Sequence, residues 1–156
     1  MSPAAQAESV LVLARSTGRI LGLPSASVIE VMPALPVRDV AGAPPFVLGV
    51  SIVRGIPTPV VSAARLLEPD QAPSRASHFV SLRCSGRAVA LAVEGLIGVR
   101  ALAPELVSDL PPLFAAPDAS TGLAALALLD GELLCVLEAA RLLPAELRAR
   151  IVGADA

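Results

Sequence analysis

The chain has 156 residues, 54% of them hydrophobic and 17% charged, and a formal net charge of −2. Three Phe, no Trp, no Tyr and no basic excess set aside nucleic-acid binding, which needs a cationic footprint and often aromatic platforms. The longest strictly apolar runs, such as Leu123–Leu129, fall far short of the roughly 20 residues that a spanning helix needs.

Val10–Arg15 is a short apolar run, Ser16-Thr17-Gly18-Arg19 a turn, and Ile20–Leu23 the returning run, which together read as a β-hairpin. Val28–Val31 reads as a third strand or a strand-like turn. Pro33–Pro45 is a Pro-rich connector. Phe46–Val53, Arg54-Gly55 and Thr58–Val61 form a second hairpin that runs into Ala63-Ala64-Arg65-Leu66-Leu67, a short helical turn by propensity. Glu68–Ser77 is a polar link. Val80, Leu82 and Cys84 then alternate with Ser81 and Arg83 as a half-buried strand, and Ala88–Val93 returns after Ser85-Gly86. Leu96–Val99 is the next strand. Leu123–Leu129, Asp130-Gly131 and Glu132–Leu137 give a last hairpin around a strong turn signal. Pro144–Ile151 is the best helix candidate: Leu143, Leu147 and Ile151 form a stripe, Glu146 and Arg150 form an i,i+4 pair, and Gly153 can end it.

These elements occur twice. Val12, Arg15, Gly18, Arg19, Leu23 and Val31 fall on Val80, Arg83, Gly86, Arg87, Leu91 and Val99 at an offset of 68. Gly55, Val60 and Ala63–Leu67 fall on Gly131, Val136 and Ala139–Leu143 at an offset of 76. The change of offset sits in the Pro-rich connector, where length change is cheap. Two pseudo-repeats, about 10–67 and 78–143, are too few for a solenoid and suggest two small β-barrels sharing a core, followed by a C-terminal helix over 144–152. Each repeat alone would be marginal, so contact between them should contribute to stability. Cys84 and Cys135 match Ser16 and Pro59, so the repeat demands no thiol; a disulfide between them is unforced, and buried free thiols are the expectation over it.

The segments Ala43–Val50, Val53-Arg54-Gly55 and Pro59-Val60-Val61, continued through Ser85–Val99 and Thr121–Leu143, resemble the CheW-like chemotaxis coupling proteins over about residues 9–145. The resemblance implies an all-β fold of two SH3-like five-stranded barrels. It implies no cofactor and no enzymatic activity. It implies a cytoplasmic scaffold that bridges a chemoreceptor cytoplasmic hairpin and the regulatory domain of a histidine kinase. Ile52 stands where the family usually has Asn, and Ser62 where it usually has Asp. These departures leave open a diverged regulatory module that binds a kinase or response regulator outside chemotaxis. The apolar excess motivates a further alternative, an apolar-ligand-binding barrel.

Arg54 is the foremost candidate for partner binding, because Asp would turn better there and Arg offers a planar donor fork. Through the resemblance, Val28, Glu30 and Val99 match positions on a receptor-facing groove, with Val28 and Val99 in equivalent regions of the two repeats. An apolar groove with a polar rim would accept an amphipathic helical hairpin. The competing reading for both valines is core. His78 lacks neighbours at triad or ligand spacing, so a locally hydrogen-bonded histidine is expected. Glu105 and Asp109 read as a solvated turn, with a shared helical face as the alternative, and Ser120-Thr121-Gly122 as a loop. One His, two scattered Cys and sparse carboxylates are poor material for a metal site or a hydrolase.

Overall fold

The computed structural model describes residues 9–68, 75–84, 86–103, 107–109 and 123–137. The expected helix at 144–152, Glu105, and Ser120–Gly122 lie outside them. Eleven strands are described: β1 (Ser9–Ser16), β2 (Arg19–Pro24), β3 (Val28–Pro33), β4 (Val47–Val53), β5 (Ile56–Ser62), β6 (His78–Cys84), β7 (Arg87–Val93), β8 (Gly95–Leu102), β9 (Val107–Asp109), β10 (Leu123–Leu129) and β11 (Glu132–Leu137). One helical turn, α1 (Ala63–Leu67), follows β5, and a 3-10 turn at Ser25–Ser27 precedes β3.

Three hairpins close on two-residue turns, Thr17-Gly18, Arg54-Gly55 and Asp130-Gly131. Both central residues have positive φ in each, as the primed turn that matches strand twist requires. The strands form two sheets. One has the order β8-β1-β2-β11-β10-β9 and the other β3-β6-β7-β5-β4. The second is contiguous in sequence, whereas the first combines the N-terminal hairpin with the later strands β8–β11. Each sheet therefore joins a hairpin of one repeat to strands of the other, and the sequence repeats do not coincide with the sheets.

The duplication is visible in the register. Val12 opposes Val99 and Leu11 opposes Arg100 in the first sheet. Their counterparts in the second are Val80 opposite Val31 and Phe79 opposite Met32. A parallel pairing recurs as Gly22 with Val136 and Ala90 with Val60. Bulges recur as well: β8 skips Ile97 against β1, and β3 skips its counterpart Ile29 against β6. The extra strand β9 has a shorter equivalent in the second sheet. It pairs with β10 at Leu126, while Arg38 forms a single bridge to Val50, the matching residue of β4. Both barrels thus share five main strands and one short edge cover. Asp109 lies in β9, so the helical alternative for that segment does not hold.

Alternation along the central strands creates three apolar layers. Leu11, Leu13, Ile20, Leu134 and Val136 fill the first barrel. Val60, Phe79, Ala90 and Ala92 line the second. The opposite faces of the same strands meet in the largest cluster. There Ala14, Leu21, Leu23, Cys135 and Leu137 of one sheet pack with Val61, Val80, Leu82, Val89, Leu91 and Val93 of the other. The seam between the barrels is therefore the main core. Cys84 and Cys135 are buried free thiols within it. Burial pushes the Cys135 thiol up, opposed by nearby Arg19.

Candidate functional site

The candidate site is built on β3, an edge strand of the second sheet. Its residues alternate in exposure, with Val28, Glu30 and Met32 half-buried and Ile29, Val31 and Pro33 turned outward. At the opposite edge of the same sheet, the β4–β5 turn presents Arg54. Curling of the sheet brings the two together, although they are 24 residues apart in sequence. The Arg54 Nε donates to Glu30 Oε2 at 2.7 Å and the Arg54 Nη2 to Glu30 Oε1 at 2.8 Å. This is the fork-to-carboxylate geometry that only an arginine supplies. The Glu30 side chain is 25% exposed and that of Arg54 76%, so the carboxylate is set into the surface and the guanidinium covers it. Arg54's hydrogen bonds, together with its charge, hold the Glu30 carboxyl below its ordinary range against a smaller effect of burial. Arg54 is raised in turn.

Exposed aliphatic residues neighbour this pair along the chain. Ile29 and Val31 lie on β3, and Ile52 and Ile56, 59% and 63% exposed, flank Arg54. Ile52 is thus a surface residue. Ser62 is not: it is buried, and its Oγ accepts from the Arg65 backbone N–H as the N-cap of α1. Asp and Ser are both strong caps, so this departure preserves a local capping role.

The first barrel carries a related arrangement. β8 is its edge strand and exposes Ile97 and Val99, the latter to 66%. These match Ile29 and Val31 in register. Arg100 on β8 donates to Asp130 in the β10–β11 turn at 3.3 Å. Asp130 is the counterpart of Arg54, so the charge order is reversed: acid on strand and base on turn in one barrel, base on strand and acid on turn in the other. Reading the sequence missed Arg100, although opposite charges at positions 54 and 130 were the available signal.

Of the residues singled out by sequence, Arg54 and Glu30 meet directly. Val28 begins the same strand and packs partly against the seam, so its core reading is half correct. Val99 stands on the edge strand of the other barrel and is not core. His78 opens β6, with its Nδ1 2.8 Å from Ser77 Oγ, the local hydrogen bond expected of it. Among the described residues no group of three or more His, Cys, Asp or Glu could hold a metal ion, and no helix is long and apolar enough to cross a membrane.

The model of the CheW-like domain matches residues 10–147. The chain belongs to the CheW-like family. Among solved structures, scaffolding protein TtCheW from Thermoanaerobacter tengcongensis is similar, with a TM-score of 0.72 at 19% identity over 84% of this chain and 89% of that one. No curated protein matches the chain significantly. The CheW-like fold is that of two SH3-like barrels related by duplication, and the two sheets and their repeated register fit it. The family is one of scaffolds and adaptors in chemotaxis-type signal transduction.

Proposed function

We propose that this CheW-like protein is a cytoplasmic, non-enzymatic coupling scaffold that links a chemoreceptor cytoplasmic hairpin to the regulatory domain of a histidine kinase. The observation that carries this reading is the Arg54–Glu30 fork, which ties an aliphatic edge strand to an aliphatic turn on the surface of one barrel. Exposed aliphatic side chains on the strands that carry a fixed charged pair suit an amphipathic helical hairpin, whose apolar face would cover Ile52 and Ile56 beside the turn while its polar rim meets Arg54. Val28 would set the base of that surface and Val99 would extend it onto the other barrel.

Titration calorimetry tests the reading with a chemoreceptor hairpin and, separately, a kinase regulatory domain. Arg54→Ala should leave the thermal transition within a few degrees of the parent and weaken hairpin binding about tenfold, the size of a lost charge-assisted contact. Unchanged hairpin affinity would sink the role of Arg54. Kinase-domain binding with no hairpin binding at all would favour the second reading, a regulatory module outside chemotaxis. The outward apolar Ile52 is the feature that supports that alternative.

A further inference from the structure

The two edge strands that carry the candidate residues, β3 and β8, belong to different barrels and yet meet a common joint. Ser77 stands just before β6. Its backbone N–H donates to Val93 O at 2.9 Å and its carbonyl accepts from Ala34 N–H at 3.1 Å, immediately after β3. Its hydroxyl donates to Glu94 O at 2.6 Å, immediately before β8. Glu94 is the single residue at which the chain crosses from one sheet to the other, between β7 and β8. Its own N–H donates to Arg15 O at 3.0 Å, and its Oε1 accepts from the Thr17 N–H at 3.0 Å. The joint therefore ties the end of β3, the start of β8 and the β1–β2 turn.

The joint is one-sided. At the matching crossover between β2 and β3, the counterpart of Glu94 is Ala26, which has no side-chain acceptor to offer.

We propose that Ser77 and Glu94 are positioning residues that fix the spacing of β3 and β8, and so of the candidate surface spread over both barrels. The positioning claim rests on the proposed partner reading; the spacing claim does not.

The test uses nitroxide labels at Val31→Cys and Val99→Cys, both exposed, in a chain whose native thiols are buried. The distance distribution should be narrow in the parent. It should broaden in Ser77→Ala and in Glu94→Ala, and be restored by Ser77→Thr and Glu94→Gln, which keep a hydroxyl and an Oε1 acceptor. An unchanged distribution in Ser77→Ala overturns the proposal. In the unlabelled protein, hairpin affinity should fall about fivefold in Ser77→Ala and recover in Ser77→Thr, in line with one hydrogen bond. Broadening without any effect of Arg54→Ala on binding would retain the joint and remove the partner reading. Weakening by Arg54→Ala with no broadening in Ser77→Ala would do the reverse.

Discussion

Arg54 holds a left-handed backbone conformation, φ 51°, that costs an ordinary side chain on the order of 1 kcal/mol and suits Asp better. Asp130 occupies the same place in the other barrel. The fork onto Glu30 is what the arginine adds, and its strength depends on pH through the carboxyl. The Glu30 pKa is lowered in the folded protein, so its contribution is fully present above the ordinary glutamate range and is lost as pH falls through the lowered value. A carboxyl-detected titration by nuclear magnetic resonance should therefore show Glu30 titrating below the ordinary glutamate range, and Arg54→Ala should move it back up. Hairpin binding that relies on the fork should be flat from neutral pH down to the carboxylate range. At this scale the sequence exposed both members of the pair but not their contact, because nothing local joins positions 30 and 54. Ser62 shows the converse: a departure from a family pattern resembled a surface change until its burial and its bond to Arg65 showed a cap.

At the scale of elements, turns and bulges hold the register. Gly49 takes φ 145°, and a Cβ there would lie 1.9 Å from Arg38 O, because β4 closes against the bridging segment. Gly18 has a similar need for positive φ but open space around it. Gly49→Ala should thus cost about 2–3 kcal/mol, and Gly18→Ala only about 1 kcal/mol. Urea denaturation measures both, and equal costs would show that the β4 bridge yields. The hairpins were legible because the Arg-Gly, Asp-Gly and Thr-Gly turns announce themselves between alternating runs. The matched bulges at Ile29 and Ile97 were not, since an extra residue in a strand leaves alternation disturbed in a way that composition alone does not assign. The edge cover at Arg38 and β9 was likewise hidden: one or three paired residues inside a Pro-rich or polar stretch give no periodicity.

For the whole molecule, the seam rather than either barrel interior carries the largest apolar cluster. Leu91 is fully buried in it. Leu91→Ala should cost about 2–5 kcal/mol, and unfolding should remain a single transition, because both sheets lose the same packing. Two separate transitions by calorimetry would mean that the barrels stand alone. The duplication was readable in the residues, but the exchange of hairpins between repeats was not. Gly22 pairs with Val136 just as Ala90 pairs with Val60, so either hairpin meets the same parallel register, and the short crossovers at Ser25–Ser27 and Glu94 carry the chain from one sheet to the other.

That exchange has a temporal consequence. A ribosome delivers β1 and β2 before β3–β7, which arrive as an uninterrupted set, yet their sheet neighbours β8 and β11 emerge only after that set. During synthesis the middle barrel can close on its own schedule, while the earliest hairpin must wait, with one oily flank already resting on the newborn neighbour and the other bare until the final strands leave the tunnel.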